Sequence, residues 1–177
     1  MKIISRIART VAAAGFVIAA ASLIVHPFGT VKTQDSQRPL FADANLDTSA
    51  ELSFVRACQN CHSERTVWPW YSYVAPVSWL LERDVRCARA HLNVSRWGEY
   101  SVSQRETLLA AIGAAVRNRQ MPPRRFTLLH PEALLSAAEA EQIYRWAHAE
   151  RRRLRHPVQR SAFIARNNEL GSPDSAE

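Results

Sequence analysis

Two cysteines and a histidine stand together at Cys58, Cys61 and His62, inside the stretch ACQNCHSERTVWPWYSY. Two thiols and an imidazole at this spacing allow four chemistries. A redox dithiol uses a C-x-x-C pair, but it wants a strand and a βαβ setting before it, and a helix-forming segment precedes this one. Cys87 and His91 form a C-x3-H pair that would complete a Cys3His zinc set with Cys58 and Cys61. The gap between those pairs is longer than in common zinc fingers, and His62 would be left idle. A disulfide between Cys58 and Cys61 also leaves the place of His62 unexplained. The complete pattern C-x-x-C-H is the attachment signature of c-type haem. There the two thiols form thioethers with the vinyl groups and the adjacent imidazole reaches the iron.

A haem iron held by histidine needs a second axial ligand to be six-coordinate, and a methionine thioether in that place raises the potential. The chain has two methionines, and one is the start. Met121 is therefore the methionine candidate, 59 residues after His62 in a proline-rich loop. The following proline stiffens the backbone and lowers the entropy lost in holding a weak ligand. His130 and His91 are the rivals for a bis-histidine site.

The elements that must position these residues read as helices. The chain has few β-branched runs, only five glycines, and many alanine, leucine, arginine and glutamate residues. Three S/T-x-x-E boxes mark helix starts, at Thr48–Glu51, Ser103–Glu106 and Ser136–Glu139. The first leads into Leu52, Val55 and Cys58, which puts Cys58, Cys61 and His62 at the C-terminal end of that helix and on one face. The second leads into the stripe Leu108, Leu109, Ile112, Ala115 and Val116, and the third into Ala140, Ile143, Trp146 and Ala147. A fourth helix starts near Pro76 and carries Val77, Leu80, Leu81, Val85, Ala88 and Leu92. The expected class is all-α, with about four helices in a bundle.

Lys2, Arg6 and Arg9 precede an uncharged run from Val11 to Val25. That is the form of an export signal or anchor. The run continues through Leu23, Ile24 and Val25 beyond the small residues that would offer a cleavage site, which favours an uncleaved anchor. Positive residues stay on the cytoplasmic side, so the remainder is expected outside the inner membrane. The domain organisation read from the sequence is an anchor or signal peptide over 1–25, a linker over 26–47, one domain over 48–155, and a flexible tail over 156–177. The net charge of +7 gathers at the N-terminus and in RRRLRHPVQR near the C-terminus. No basic helix face or nucleic-acid motif accompanies it, so nucleic acid is not an expected partner.

The runs CQNCHSERTVWPWYSYVAPVSWLLERDV, HLNVSRW and MPPRRFTLLHPEALLSAAEAEQIYRWA together resemble the bacterial haem-binding domain family of small monohaem c-type cytochromes. The resemblance covers Leu46 to Glu150. It implies a cytochrome c-like bundle around one covalent haem c, bound through Cys58 and Cys61, with His62 as proximal ligand and Met121 in the distal loop. It also implies export, because covalent haem attachment in bacteria occurs outside the cytoplasm. Cys87 followed by Ala88 departs from the pattern, and Cys87 reads as a buried small hydrophobe. Trp68, Trp70 and Tyr71 follow the ligands closely and are expected to line the haem pocket, whereas Trp97 is expected in the core. Arg124 and Arg125 beside Met121 suit either haem propionates or a redox partner.

The function expected is a membrane-tethered periplasmic electron carrier that works with a redox partner protein. No nucleophile triad, phosphate loop or paired carboxylates accompany the haem signature, so catalysis is not expected. The alternatives are a haem-based sensor with a labile distal position and a zinc-stabilised Cys3His interaction protein.

Overall fold

The computed structural model describes the backbone of residues 2–22, 31–34 and 36–170. Every regular element among the described residues is helical, as the composition predicts. The α-helices are α1 (Lys2–Ser22), α2 (Thr48–Ala57), α3 (Gln59–His62), α4 (Val77–His91), α5 (Val102–Arg117), α6 (Arg124–Leu129) and α7 (Ala137–Leu170). The four expected helices correspond to α2, α4, α5 and α7; α3, α6 and short 3-10 turns are additions. Within α1, Ile3–Ala21 is long and apolar enough to cross a membrane, at mean hydropathy 1.6, and none of it is buried. Leu23, Ile24 and Val25, the end of the expected anchor, lie outside the described residues.

The chain divides into two compact units. The first comprises Met1–Ala42 and Cys58–Trp97, and the second Asp43–Ala57 and Gly98–Glu177.

In the first unit, the inner face of α4 is not the expected stripe. Ser78, Glu82, Val85 and Arg89 are buried, while Val77 and Leu80 are exposed. Charges can occupy an inner face only when partners replace the lost water. Those partners come from the segment at Val31 and from the turn after the second cysteine. The Lys32 Nζ lies 3.8 Å from a Glu82 carboxylate oxygen and donates to the Ser72 carbonyl. Arg89 donates to the carbonyls of Ser63 (2.8 Å) and Val31 (3.3 Å) and to the Thr66 hydroxyl (2.9 Å). The described part of the stretch expected as a linker, which begins at Val31, is thus packed into the fold. Its Phe41 is buried and meets Trp97 edge-on at 5.1 Å. Trp97 is 1% exposed, the core residue it was expected to be.

The second unit rests on α5 and α7. The buried residues of α5 are Leu109, Ile112, Gly113 and Val116, and those of α7 include Ile143, Trp146 and Ala147. Both stripes follow the expected period. At Gly113 a Cβ would meet the Tyr144 Cδ2 at 3.2 Å, so the glycine sets how closely the helices approach. Helix α2 turns Ala50, Ser53, Phe54 and Ala57 inward and leaves Leu52 65% exposed, so the expected Leu52–Val55–Cys58 face is rotated. Small side chains at Ala50 and Ser53 let α2 pack on α7.

Two of the three capping boxes move. At α2 the cap is Asp47, whose carboxylate accepts from the Ala50 N–H at 2.9 Å. At α5 the box is Ser101–Gln104, two residues earlier than expected. Glutamine serves as well as glutamate there, and Glu106 is taken by Arg155 at 2.7 Å. The Ser136–Glu139 box is present as expected. The loop before it contains the short helix α6, which starts at Arg124 directly after Pro123. Helix α7 continues to Leu170 through the start of the expected tail, and residues 171–177 lie outside the described residues.

Candidate functional site

The C-x-x-C-H residues do not end α2. That helix stops at Ala57, and Cys58, with φ −127° and ψ −30°, caps a separate single turn, α3. The Cys58 carbonyl accepts from the N–H groups of Cys61 (3.2 Å) and His62 (3.0 Å). One tight turn therefore brings the two thiols and the imidazole close to one another. Cys58 and Cys61 are half-buried, Cys87 is exposed rather than buried, and no disulfide joins them.

The His62 ring is oriented by backbone. Its Nδ1 lies 3.1 Å from the Leu92 carbonyl oxygen, at the C-terminal cap of α4. A carbonyl only accepts, so Nδ1 carries the proton and Nε2 keeps the lone pair. Burial holds this imidazole below its ordinary pKa, against the opposing pull of the Leu92 and Ala88 carbonyls; nearby His91 acts in the same direction as burial. A neutral imidazole with its second nitrogen fixed by a carbonyl is the state that suits a metal ligand.

The turn that follows is locked in place. Burial pushes the Glu64 carboxyl upward, but hydrogen bonds from Arg96, Ser36 and Asn93, with the Arg96 charge, outweigh this and lower it to about 2. The Arg96 Nε and Ser36 Oγ each lie 2.6 Å from Glu64. The Glu64 N–H donates to the Ser95 hydroxyl at 2.9 Å. The Arg65 Nε is buried with no acceptor among the described residues. After it, Trp68 and Tyr73 take the Lys32 ammonium over their rings at 5.2 and 3.8 Å. Trp70 is 80% exposed and meets half-buried Tyr71 edge-on at 5.8 Å. Val67, Tyr73 and Val74 are also exposed.

The haem-binding domain family's sequence profile matches residues 17–149. The chain belongs to the haem-binding domain family. Haem is thus the group this domain binds, and the donors around α3 suit it: two thiols outside any disulfide and a neutral, oriented imidazole. The chain is also similar to the cytochrome c peroxidase Ccp of Escherichia coli (strain K12), at 26% identity over 158 residues, or 85% of this chain. It spans 33% of that relative's length. No solved structure matches the chain.

Within this haem-binding domain, Cys58, Cys61, His62, Trp68, Trp70 and Tyr71 all lie in the first unit, and Met121 lies in the second. Met121 is 38% exposed, and its N–H donates to the Ala115 carbonyl at 3.3 Å, closing the end of α5. Leu128, Leu129 and Leu134 of the following segment are exposed as well. Of the rival ligands, His91 has its Nδ1 2.8 Å from the Cys87 carbonyl oxygen and His130 has its Nδ1 2.8 Å from a Glu132 carboxylate oxygen. Among the described residues no three His, Cys, Asp or Glu side chains gather as a metal site, so the Cys58–Cys61–Cys87–His91 zinc set is not assembled. Sequence reasoning missed Glu64, Arg89 and the Leu92 carbonyl. The first two are ordinary charged residues in sequence, and a backbone carbonyl carries no sequence signal.

Proposed function

We propose that this haem-binding domain is a membrane-tethered periplasmic cytochrome c that carries single electrons on one covalent haem. The observation that carries the proposal is the α3 turn, where Cys58, Cys61 and a neutral His62 with its Nε2 lone pair share one helical turn. Cys58 and Cys61 would hold haem c as thioethers, with His62 as proximal and Met121 as distal ligand. Bound haem supplies a one-electron Fe(III)/Fe(II) couple. The Leu92 carbonyl fixes the His62 ring, and Glu64 and Arg89 fix the turn behind it. Exposed Val67 and Trp70 offer apolar and indole surface to a macrocycle. The apolar α1 behind Lys2, Arg6 and Arg9 supports a tether with the domain on the outer face.

Coexpression with haem-maturation machinery, followed by a denaturing gel stained for haem, tests the attachment. Loss of stain in Cys58→Ala/Cys61→Ala is expected; a wild-type protein without covalent haem refutes the proposal. The long-wavelength ferric thioether-to-iron band should vanish in Met121→Ala, and its persistence would reject that ligand. A second reading, reduction of peroxide at the haem, has the name of the peroxidase relative in its favour. Peroxide turnover or carbon monoxide binding by the unmutated protein would select it, because both need a vacant axial position.

A further inference from the structure

The Lys32 ammonium does more than offset the buried charge of Glu82. Its Nζ lies 3.8 Å from the Glu82 carboxylate and donates to the Ser72 carbonyl. It also stands over two aromatic rings, 5.2 Å from the centre of Trp68 and 3.8 Å from that of Tyr73. The Glu82 side chain is 1% exposed and that of Lys32 19%. A cation drawn this far out of water is held more firmly by aromatic rings than one at an open surface.

These contacts fall on both ends of one short stretch. Trp68 precedes the 3-10 turn Trp70–Tyr73, and Ser72 and Tyr73 close it. The backbone bonds of that turn run from the Ser72 N–H to the Pro69 carbonyl at 2.9 Å and from the Val74 N–H to the Tyr71 carbonyl at 3.3 Å. Bonds of the 3-10 type have poor geometry, so a single turn needs contacts from elsewhere in the fold to hold it. Lys32 supplies them at both ends, and Trp70 and Tyr71 lie between. The lysine is itself held from behind, by Glu82 on α4 and through its neighbour Val31, whose carbonyl receives Arg89. All of these residues belong to the first unit.

We propose that Lys32 is a positioning residue for haem: through Trp68, Ser72 and Tyr73 it sets the aromatic wall WPWYS against which the macrocycle rests. The inference rests on the reading of that stretch as haem-pocket wall. Lys32 acts on the haem through these residues, so its loss changes the surroundings of the haem and not the set of ligands.

The test compares haem-loaded full chains in mild detergent by amide hydrogen exchange and by circular dichroism in the Soret band, whose sign and size report aromatic rings coupled to the haem. In Lys32→Met, protection of the Ser72 and Val74 amides should fall about tenfold, as loss of a desolvated cation–π contact implies. The Soret signal should change with it. Lys32→Arg keeps a cation at the rings and should recover most of both. Gly113→Ala, in the second unit, should leave the Soret signal as in wild type. Should Lys32→Met fail to fold, Lys32→Gln, which keeps a donor for the Ser72 carbonyl, decides: an altered Soret signal supports the proposal, and the wild-type signal overturns it. Unchanged protection in Lys32→Met overturns it, as does a Soret change of equal size in Gly113→Ala or an arginine variant no better than Lys32→Met. A fall in protection with the wild-type Soret signal makes Lys32 a structural residue only, and overturns the proposal while the haem reading stands. A wild type without covalent haem overturns the haem reading and this proposal with it.

Discussion

Arg89→Met is the most informative perturbation of the first unit. The arginine joins two other pieces of chain: the segment at Val31, and the turn after His62 at Ser63 and Thr66. Methionine fills similar space but donates nothing. A hydrogen bond from a charged donor contributes about 1.5–3 kcal/mol. The Ser63 bond counts nearly in full because Ser63 is wholly buried, while the 3.3 Å bond to Val31 is weak. Removing the buried guanidinium also relieves its desolvation, which offsets part of the loss. The expected net loss is about 3 kcal/mol, from orphaned buried carbonyls more than from missing charge. At a urea slope of about 2 kcal/mol/M, the unfolding midpoint falls by roughly 1.5 M. Arg89→Lys, a single donor point without the planar fork, should recover about half. The assay is urea unfolding of the haem-loaded chain in mild detergent, followed by far-ultraviolet circular dichroism. A loss under about 0.5 kcal/mol in Arg89→Met, within the range of ordinary surface changes, would refute the reasoning; so would wild-type stability in Arg89→Lys.

Two further perturbations probe the second unit. The Asp47 carboxyl is held below its ordinary value chiefly by the Ala50 N–H and then by the Ser49 hydroxyl, with burial opposing weakly. Its folded pKa is depressed, so the stability it gives is complete above the ordinary value of 3.8 and is lost as pH falls below it. Asp47→Asn keeps the cap and should match wild type near neutrality with a flatter acid limb, whereas Asp47→Ala should lose about 1 kcal/mol. Urea unfolding at neutral and acid pH separates them, and an unchanged acid limb in Asp47→Asn would exclude this role. In Gly113→Ala the new methyl would press on Tyr144 at 3.2 Å. Overpacking costs about 1–3 kcal/mol and better helix propensity returns about 1 kcal/mol, so a net loss of about 1 kcal/mol is expected in the same assay. A stabilised variant would show that α7 yields freely.

The parts of this fold that were legible in sequence are those settled by local pattern. The α5 and α7 stripes and the Ser136–Glu139 box need only residues a few positions apart. The inner face of α4 was illegible because Glu82 and Arg89 look like solvated charges until Lys32 and Val31, some 50 residues earlier, supply their partners. At α5 two overlapping boxes compete, and the choice falls to Ser101 because Glu106 bonds to Arg155 on another helix. The α3 turn shows both sides. Its residue types and spacing narrow the chemistry to a few choices that include haem, but its separation from α2 rests on one non-helical residue, Cys58, of ordinary type.

The docking of the segment at Val31 also sets where this protein can be cut. Lys32 supplies the ammonium facing Glu82, and the Val31 carbonyl receives Arg89, so a soluble version begun at the first capping signal, Thr48, would strip partners from two charges already inside the fold. An exchange of α1 for another segment belongs before Val31, in the short span after α1. What reads in the sequence as spacer is, at Val31, Lys32, Ser36 and Phe41, packed into the first unit.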